Sequence, residues 1–314
     1  MKTLVYLVSL MLLTGCGSLR NEVNPSVLSA GGAKLVVNSY ISPQDTLLTV
    51  KVSRSKPVLI EPSEAQPYVV ENATVTLSTG GQVVVMRYNG ARQLYQARPA
   101  LMPIRTGQTY TLTVSTPDGK QVTAQATVPQ PVPISAISLD STITTTGTTK
   151  NKAYRISFVW EDPATETNFY QYGGYFQWRD SKFTYPIGGQ SEVPVPNILV
   201  LSFNRDRVTG NVLSDDRQQG GLLTSQSANV ASIAVQKGDP KAAEYVTYTY
   251  PGARVVAQLL STEESYYRYT DAVFRQRQVG NSPFAEPVLI PSNIAGGLGC
   301  FAAYNRTEKV LLLK

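Results

Sequence analysis

Gln108-Thr-Tyr-Thr-Leu-Thr-Val-Ser115 meets Lys120-Gln-Val-Thr-Ala-Gln-Ala-Thr-Val128 across the turn residues Thr116-Pro-Asp-Gly119. Two β-type runs separated by Pro, Asp and Gly read as paired strands, because those residues supply the turn geometry that β-branched residues resist. Working back towards the N-terminus, the same pattern recurs. Lys34–Ile41, Thr46–Ser53, Ala73–Ser78, Gln82–Tyr88 and Gln93–Ala97 are strand candidates, and Gly80-Gly81 marks a hairpin. Seven strands in residues 33–130 predict an immunoglobulin-like β-sandwich; transthyretin-like and fibronectin-like topologies fit equally well. Tyr110, in Gly107-Gln-Thr-Tyr110, reads either as a tyrosine corner or as an ordinary half-buried ring.

Pro129-Gln-Pro-Val-Pro133 is a polyproline-type stretch and sets the domain boundary, leaving residues 131–314 as a second β domain. Composition changes there. Residues 33–133 hold five Tyr and no Phe or Trp, whereas residues 134–314 hold twelve Tyr, eight Phe and both Trp. Strand candidates are Ala153–Trp160, Tyr170–Arg179, Lys182–Ile187, Ile198–Phe203, Asn229–Gln236, Glu244–Tyr250 and Arg254–Leu260. Ser261-Thr-Glu-Glu264 fits a capping box and predicts one helix near 262–276. Cys300–Tyr304 and Lys309–Lys314 close the chain as strands, the last inside a sheet because an apolar edge invites aggregation. The fold class is all-β: a sandwich, then a larger antiparallel sandwich or barrel-like domain with one helix.

The N-terminus carries a different message. Lys2, the apolar run Leu4–Leu13 and then Leu13-Thr-Gly-Cys16 describe a lipoprotein signal peptide over residues 1–15, with Cys16 as the acylated residue. An apolar run this short spans only half of a hydrocarbon core. Residues 16–32 lack apolar periodicity and read as a tether. With Cys16 assigned to lipid, Cys300 has no partner for an internal disulfide.

Composition also excludes functions. The 314 residues contain no histidine, which removes Ser-His-Asp and Cys-His catalysis and His-containing zinc sites. The net charge of +6 is scattered, and the basic excess lies mainly in the first domain, as expected for solubility or attraction to anionic headgroups; nucleic-acid binding is not expected. Gly296-Gly-Leu-Gly299 lacks the lysine of a phosphate loop and reads as a tight turn feeding a strand. Ser53-Arg-Ser-Lys56 matches the Ser-x-x-Lys acylation pattern but ends a strand. Asn204–Asn211 followed by Asp215-Asp216 offers oxygen ligands without an EF-hand pattern, and a solvated hairpin loop fits better. No metal site and no cofactor are expected.

Two features remain as candidate sites. Glu161-Asp162, Asp215-Asp216 and Glu263-Glu264 are the paired carboxylates a glycosidase-like surface hydrolase would need. The run Phe169-Tyr-Gln-Tyr-Gly-Gly-Tyr-Phe-Gln-Trp178 places Tyr170, Tyr172, Tyr175, Phe176 and Trp178 as contacts for a glycan or peptide, or alternatively as an aromatic core in which Gly173-Gly174 marks a bulge.

Asn281-Ser-Pro-Phe-Ala-Glu-Pro-Val288 and Ser292-Asn-Ile-Ala-Gly-Gly-Leu-Gly-Cys-Phe-Ala-Ala-Tyr304, with the Leu13–Cys16 lipobox, the start at Leu35-Val-Val-Asn-Ser-Tyr-Ile41 and Gly107-Gln-Thr-Tyr-Thr-Leu112, resemble the bacterial envelope lipoproteins called domain of unknown function 4249. The resemblance spans nearly the whole mature chain. It implies an outer-membrane lipoprotein, on either face of that membrane, and a TonB-dependent outer-membrane receptor as partner in nutrient uptake. A non-enzymatic binding or accessory module is the expected function, and a surface hydrolase is the alternative.

Overall fold

The computed structural model describes residues 33–55, 68–147, 149–184, 191–203, 211–216, 220–237, 246–247, 253–279, 286 and 288–313. The signal peptide, Cys16, the tether, Lys56, the loop 204–210 and residues 281–285 lie outside them.

Seven strands form in the first region: β1 (Leu35–Ile41), β2 (Leu48–Arg54), β3 (Thr74–Thr79), β4 (Gln82–Asn89), β5 (Leu94–Ala97), β6 (Thr109–Ser115) and β7 (Gln121–Thr127). They run in the order β1-β2-β5-β4-β3-β6-β7 with every neighbouring pair antiparallel. Strict alternation of buried and exposed residues, complete in β1 and β7, gives each strand one apolar face. Those faces meet in one core containing Leu35, Val37, Leu48, Val50, Val75, Leu77, Leu112 and Val114. Tyr110 is fully buried rather than half-buried. Its hydroxyl donates to the Pro103 carbonyl at 2.8 Å and accepts from the Arg105 amide at 2.8 Å, which is the tyrosine-corner device.

The second region is built from longer strands. They are β8 (Ile134–Thr146), β9 (Thr149–Asp162), β10 (Phe169–Thr184), β11 (Ser191–Val200), β12 (Ser202–Phe203), β13 (Val212–Ser214), β14 (Gly221–Thr224), β15 (Ala228–Lys237), β16 (Val246–Thr247), β17 (Arg254–Thr262) and β18 (Leu298–Leu312), with helix α1 (Glu264–Val279) between the last two. A sheet centred on β9, flanked by β8, β14 and β15, packs on the sheet β11-β10-β17-β18. The shared core is aromatic, with Phe158, Trp160, Tyr170, Tyr172, Phe176 and Phe203 buried together.

β18 belongs to both regions. Its first half runs parallel to β1, from Val36↔Leu298 to Ile41↔Ala303, and its second half pairs antiparallel with β17. Ile294, Phe301 and Ala303 thereby enter the first core. The two C-terminal strand candidates are thus one fifteen-residue strand inside the sheet. The resulting twelve-stranded sheet has β11 and β7 at its ends. It is not a closed barrel among the described residues, and the sandwich-like all-β class holds.

Two local readings need correction. Ser261 does not cap the helix: it is a residue of β17, and its hydroxyl accepts from the Val132 amide at 3.2 Å. Glu263 precedes the helix instead, and its carbonyl accepts from the Tyr267 amide at 3.1 Å. Gly173-Gly174 is not a bulge against β17, because the pairing runs unbroken from Phe169↔Thr262 to Gln177↔Arg254. The requirement at Gly174 is close approach. A Cβ there would lie 2.4 Å from the Val256 carbonyl, and φ is +152°.

Candidate functional site

The aromatic run alternates as its spacing predicts, and the face it makes is turned inward. Tyr170, Tyr172 and Phe176 are 1%, 3% and 0% exposed, so these three rings are core and cannot line an open platform. Tyr172 meets Phe203 edge-on at 5.0 Å, and Tyr170 meets Trp160 at 5.4 Å. Trp178 stacks on Phe176 at 5.1 Å and is half-buried, as is Tyr175. The ligand-contact reading fails for the three buried rings because a second sheet covers them.

The carboxylates behave unexpectedly. Asp162 and Asp215, one from each of two sequence pairs, come together at the end of the second core with 3% and 2% exposure. Asp162 accepts from the Tyr170 hydroxyl at 2.6 Å and from the Gly220 amide at 2.9 Å. Asp215 accepts from the Asn168 amide at 2.8 Å, while the Asn168 side chain holds the Pro163 and Glu166 carbonyls at 3.1 and 2.8 Å. Burial raises the Asp215 carboxyl above its ordinary value, and the neighbouring Asp162 adds to this against the Asn168 amide. Together with Asn168 the two carboxyls clamp the loop from Asp162 to Asn168. They are enclosed, so the geometry leaves no face for a sugar or an attacking water between them. Among the described residues no group of three acidic or cysteine side chains is placed to hold a metal ion.

The third constellation is the joint where β18 crosses between the cores. Glu263 reaches both sandwiches: one carboxylate oxygen accepts from the Thr127 amide at 2.6 Å and the other from the Ala303 amide at 2.7 Å. Burial raises its pKa against these two donors. Asn305, 2% exposed, donates to Thr106 Oγ1 at 2.9 Å and to the Pro129 carbonyl at 3.1 Å, and accepts from Gln44 Nε2 at 2.9 Å. Thr307 donates to the Val132 carbonyl at 2.6 Å. The polyproline stretch is therefore strapped to β18 at both ends rather than left as a hinge. Cys300 lies beneath α1, 1% exposed, with its thiol pushed up to about 12 by burial and then by Glu263, so it is an inert core thiol.

Just upstream, the glycine-rich segment works as a latch. Asn293 donates to the Phe301 carbonyl at 2.6 Å and accepts from its amide at 3.0 Å, imitating a strand neighbour. Ile294 plugs the first core. At Gly299, with φ +108°, a Cβ would sit 2.0 Å from the Val37 carbonyl, so only glycine lets β18 lie against β1 there. A family model described as a domain of unknown function, DUF4249, matches residues 20–310. The chain belongs to the DUF4249 family. No curated protein matches it. For this DUF4249 chain, the stretch Ser292–Gly299 through which it resembles its family is thus explained by docking: a turn that feeds a strand, with no phosphate loop.

Sequence reasoning located the glycine turn and the aromatic run, and it missed the joint. In the sequence Glu263 stands within the capping-box stretch and among the paired carboxylates, and Asn305 and Asn293 belong to no chemical motif. The only available signal was the placing of isolated Asn and Glu within otherwise apolar strand residues.

Proposed function

We propose that this DUF4249 protein is an outer-membrane lipoprotein, acylated at Cys16, that works as a non-enzymatic binding or accessory module, with a TonB-dependent receptor as its partner in uptake. The observation that carries the reading is the polarity of the fold. The chain enters β1 beside the far pole of the first sandwich, where Lys120 Nζ donates to the Ala33 carbonyl at 2.9 Å and Leu35 pairs with Arg54. β1 and β18 run in parallel away from that pole, and β18 continues into the second sandwich. An anchor at Cys16 and a tether to residue 32 would meet the fold at one end, while the second sandwich stands at the other. The strapped polyproline joint makes the first sandwich a stiff spacer. The enclosure of Asp162 and Asp215 speaks against the hydrolase alternative, since a glycosidase needs both carboxyls open to sugar and water.

Cys16→Ser tests the anchor: acylation and membrane retention are expected to disappear, and a variant that still fractionates with membranes overturns it. Affinity capture of the native lipoprotein tests the partner. Recovery of no receptor, with uptake unchanged in cells lacking the protein, would sink the accessory role.

A further inference from the structure

The long edges of this β protein are not treated alike. β7, at one end of the large sheet, has its Thr123 amide bonded to the Ala295 carbonyl and its Thr127 amide held by Glu263. β11, at the other end, contains Pro194 and Pro196, which have no N–H to offer. β12, β14 and β16 are two to four residues long. β8 differs. It pairs with β9 from Ile134 to Thr146, and among the described residues no strand lies on its other side.

Thr146 and Thr149 close the β8–β9 hairpin as a hydrogen-bonded pair, so alternate positions aim their amides away from β9. Those positions are Ile137, Leu139, Ser141, Ile143 and Thr145. Ser141 bears this out: its amide is bonded to the Asp140 carboxylate at 2.8 Å, the substitute for a missing strand. The edge contains no proline and one charged residue, and it is rich in Thr and Ile. Ile137 and Leu139 pack on the second core, but Ile143, further out on the same face, is 60% exposed. Directly across the hairpin from Ile143 and Thr145 stand Lys152 and Lys150, and neither forms an ion pair among the described residues.

We infer that the β8 edge from Ile137 to Thr146 is a strand-addition site for an extended segment of a partner protein, with apolar residues on the core-facing side and carboxylates towards the hairpin tip. An added strand would satisfy the outward amides and carbonyls, extend the core over Ile143, and place acidic side chains near Lys150 and Lys152. The inference rests on the binding-module reading for its biological setting. Its test uses the purified full chain in detergent and needs neither acylation nor a receptor, so the two can fail separately.

The probe is a fluorescein-labelled synthetic decapeptide with threonine at every second position and, on its other face, three valines followed by two glutamates, read by fluorescence anisotropy. Thr145→Pro removes an outward amide without touching the β8–β9 ladder, and is expected to weaken binding about tenfold with unchanged tryptophan emission. Lys150→Glu with Lys152→Glu is expected to weaken the glutamate peptide about fivefold and to leave a valine–threonine peptide unaffected. Absence of binding, or binding that ignores Thr145→Pro, overturns the site. A dimer of the free protein that Thr145→Pro dissolves assigns the edge to a second copy and overturns the partner reading.

Discussion

The first sandwich buries mainly aliphatic side chains from short alternating strands, with Tyr95 and Tyr110 as its own buried rings and Phe301 brought in by β18. The second buries a continuous group of rings, from Tyr154 through Phe158, Trp160, Tyr170, Tyr172 and Phe176 to Phe203. All seven strands between Leu35 and Thr127 contribute to the first core. Large rings fill the gap between the two sheets of the second region, and the far ends of β8 and β9 project beyond that core. The lesson is that aromatic enrichment here marks how a core is filled, not where a ligand sits.

Both Trp residues lie in the second sandwich, so tryptophan emission follows that unit while tyrosine and circular dichroism follow the whole. The largest expected effect is Gly299→Val, which drives a side chain into the Val37 carbonyl and should cost well over about 4 kcal/mol, the range in which a single change undoes a domain. Chemical denaturation should show the first sandwich lost; a stable variant would mean that β18 can shift away from β1. Trp160→Ala should cost about 3–4 kcal/mol through the cavity left among Phe158, Tyr170 and Tyr172, measured by the urea midpoint from circular dichroism. A loss below 1 kcal/mol, on the order of a surface change, would show that the aromatic core repacks. Tyr110→Phe leaves the Arg105 amide without its acceptor and should cost about 2 kcal/mol in the first sandwich. An unchanged midpoint would remove the tyrosine corner from the account.

The smallest effect is a pH dependence. Asp215 binds its proton more tightly folded than unfolded, so its contribution is fully present below the ordinary Asp value of 3.8 and declines as pH rises through the raised folded value. Asp215→Asn should flatten that decline in the second sandwich, read from tryptophan emission during urea titrations at several pH values. A slope identical to the parent would remove Asp215 from the pH dependence. The paired arrangement itself was hidden from the sequence, because Asp162 and Asp215 each appear there beside a different acidic neighbour.

The first sandwich was legible almost strand by strand, because its turns carry Gly, Pro and Asp and its strands alternate cleanly. Gln121–Thr127 was expected within Lys120–Val128, for instance. In the second, β8 went unread: beyond Leu139 the stretch Asp140–Thr146 is exposed on both faces and has Ile143 as its one apolar residue, too little for a period-2 signal. β10 runs through the candidate Tyr170–Arg179 and on across Asp180-Ser181 into the start of Lys182–Ile187, and its glycines, which read as a bulge, mark a place where the backbone only needs room. At the joint, Glu263 and Asn305 bond partners distant in sequence, and no local pattern encodes a partner that arrives from another domain.

The parallel pairing of β1 with β18 also sets an order in time. Val36 and Val37 find their neighbours at Leu298 and Gly299, which are made long after them. Until then β1 has only β2 beside it, and the first core lacks Ile294 and Phe301. A ribosome that stalls before the latch leaves the earliest sandwich unfinished, with an open edge and an exposed core for proteases to find. β18 therefore acts as a seal: the first sandwich, begun early, is closed only once this distant strand has joined it.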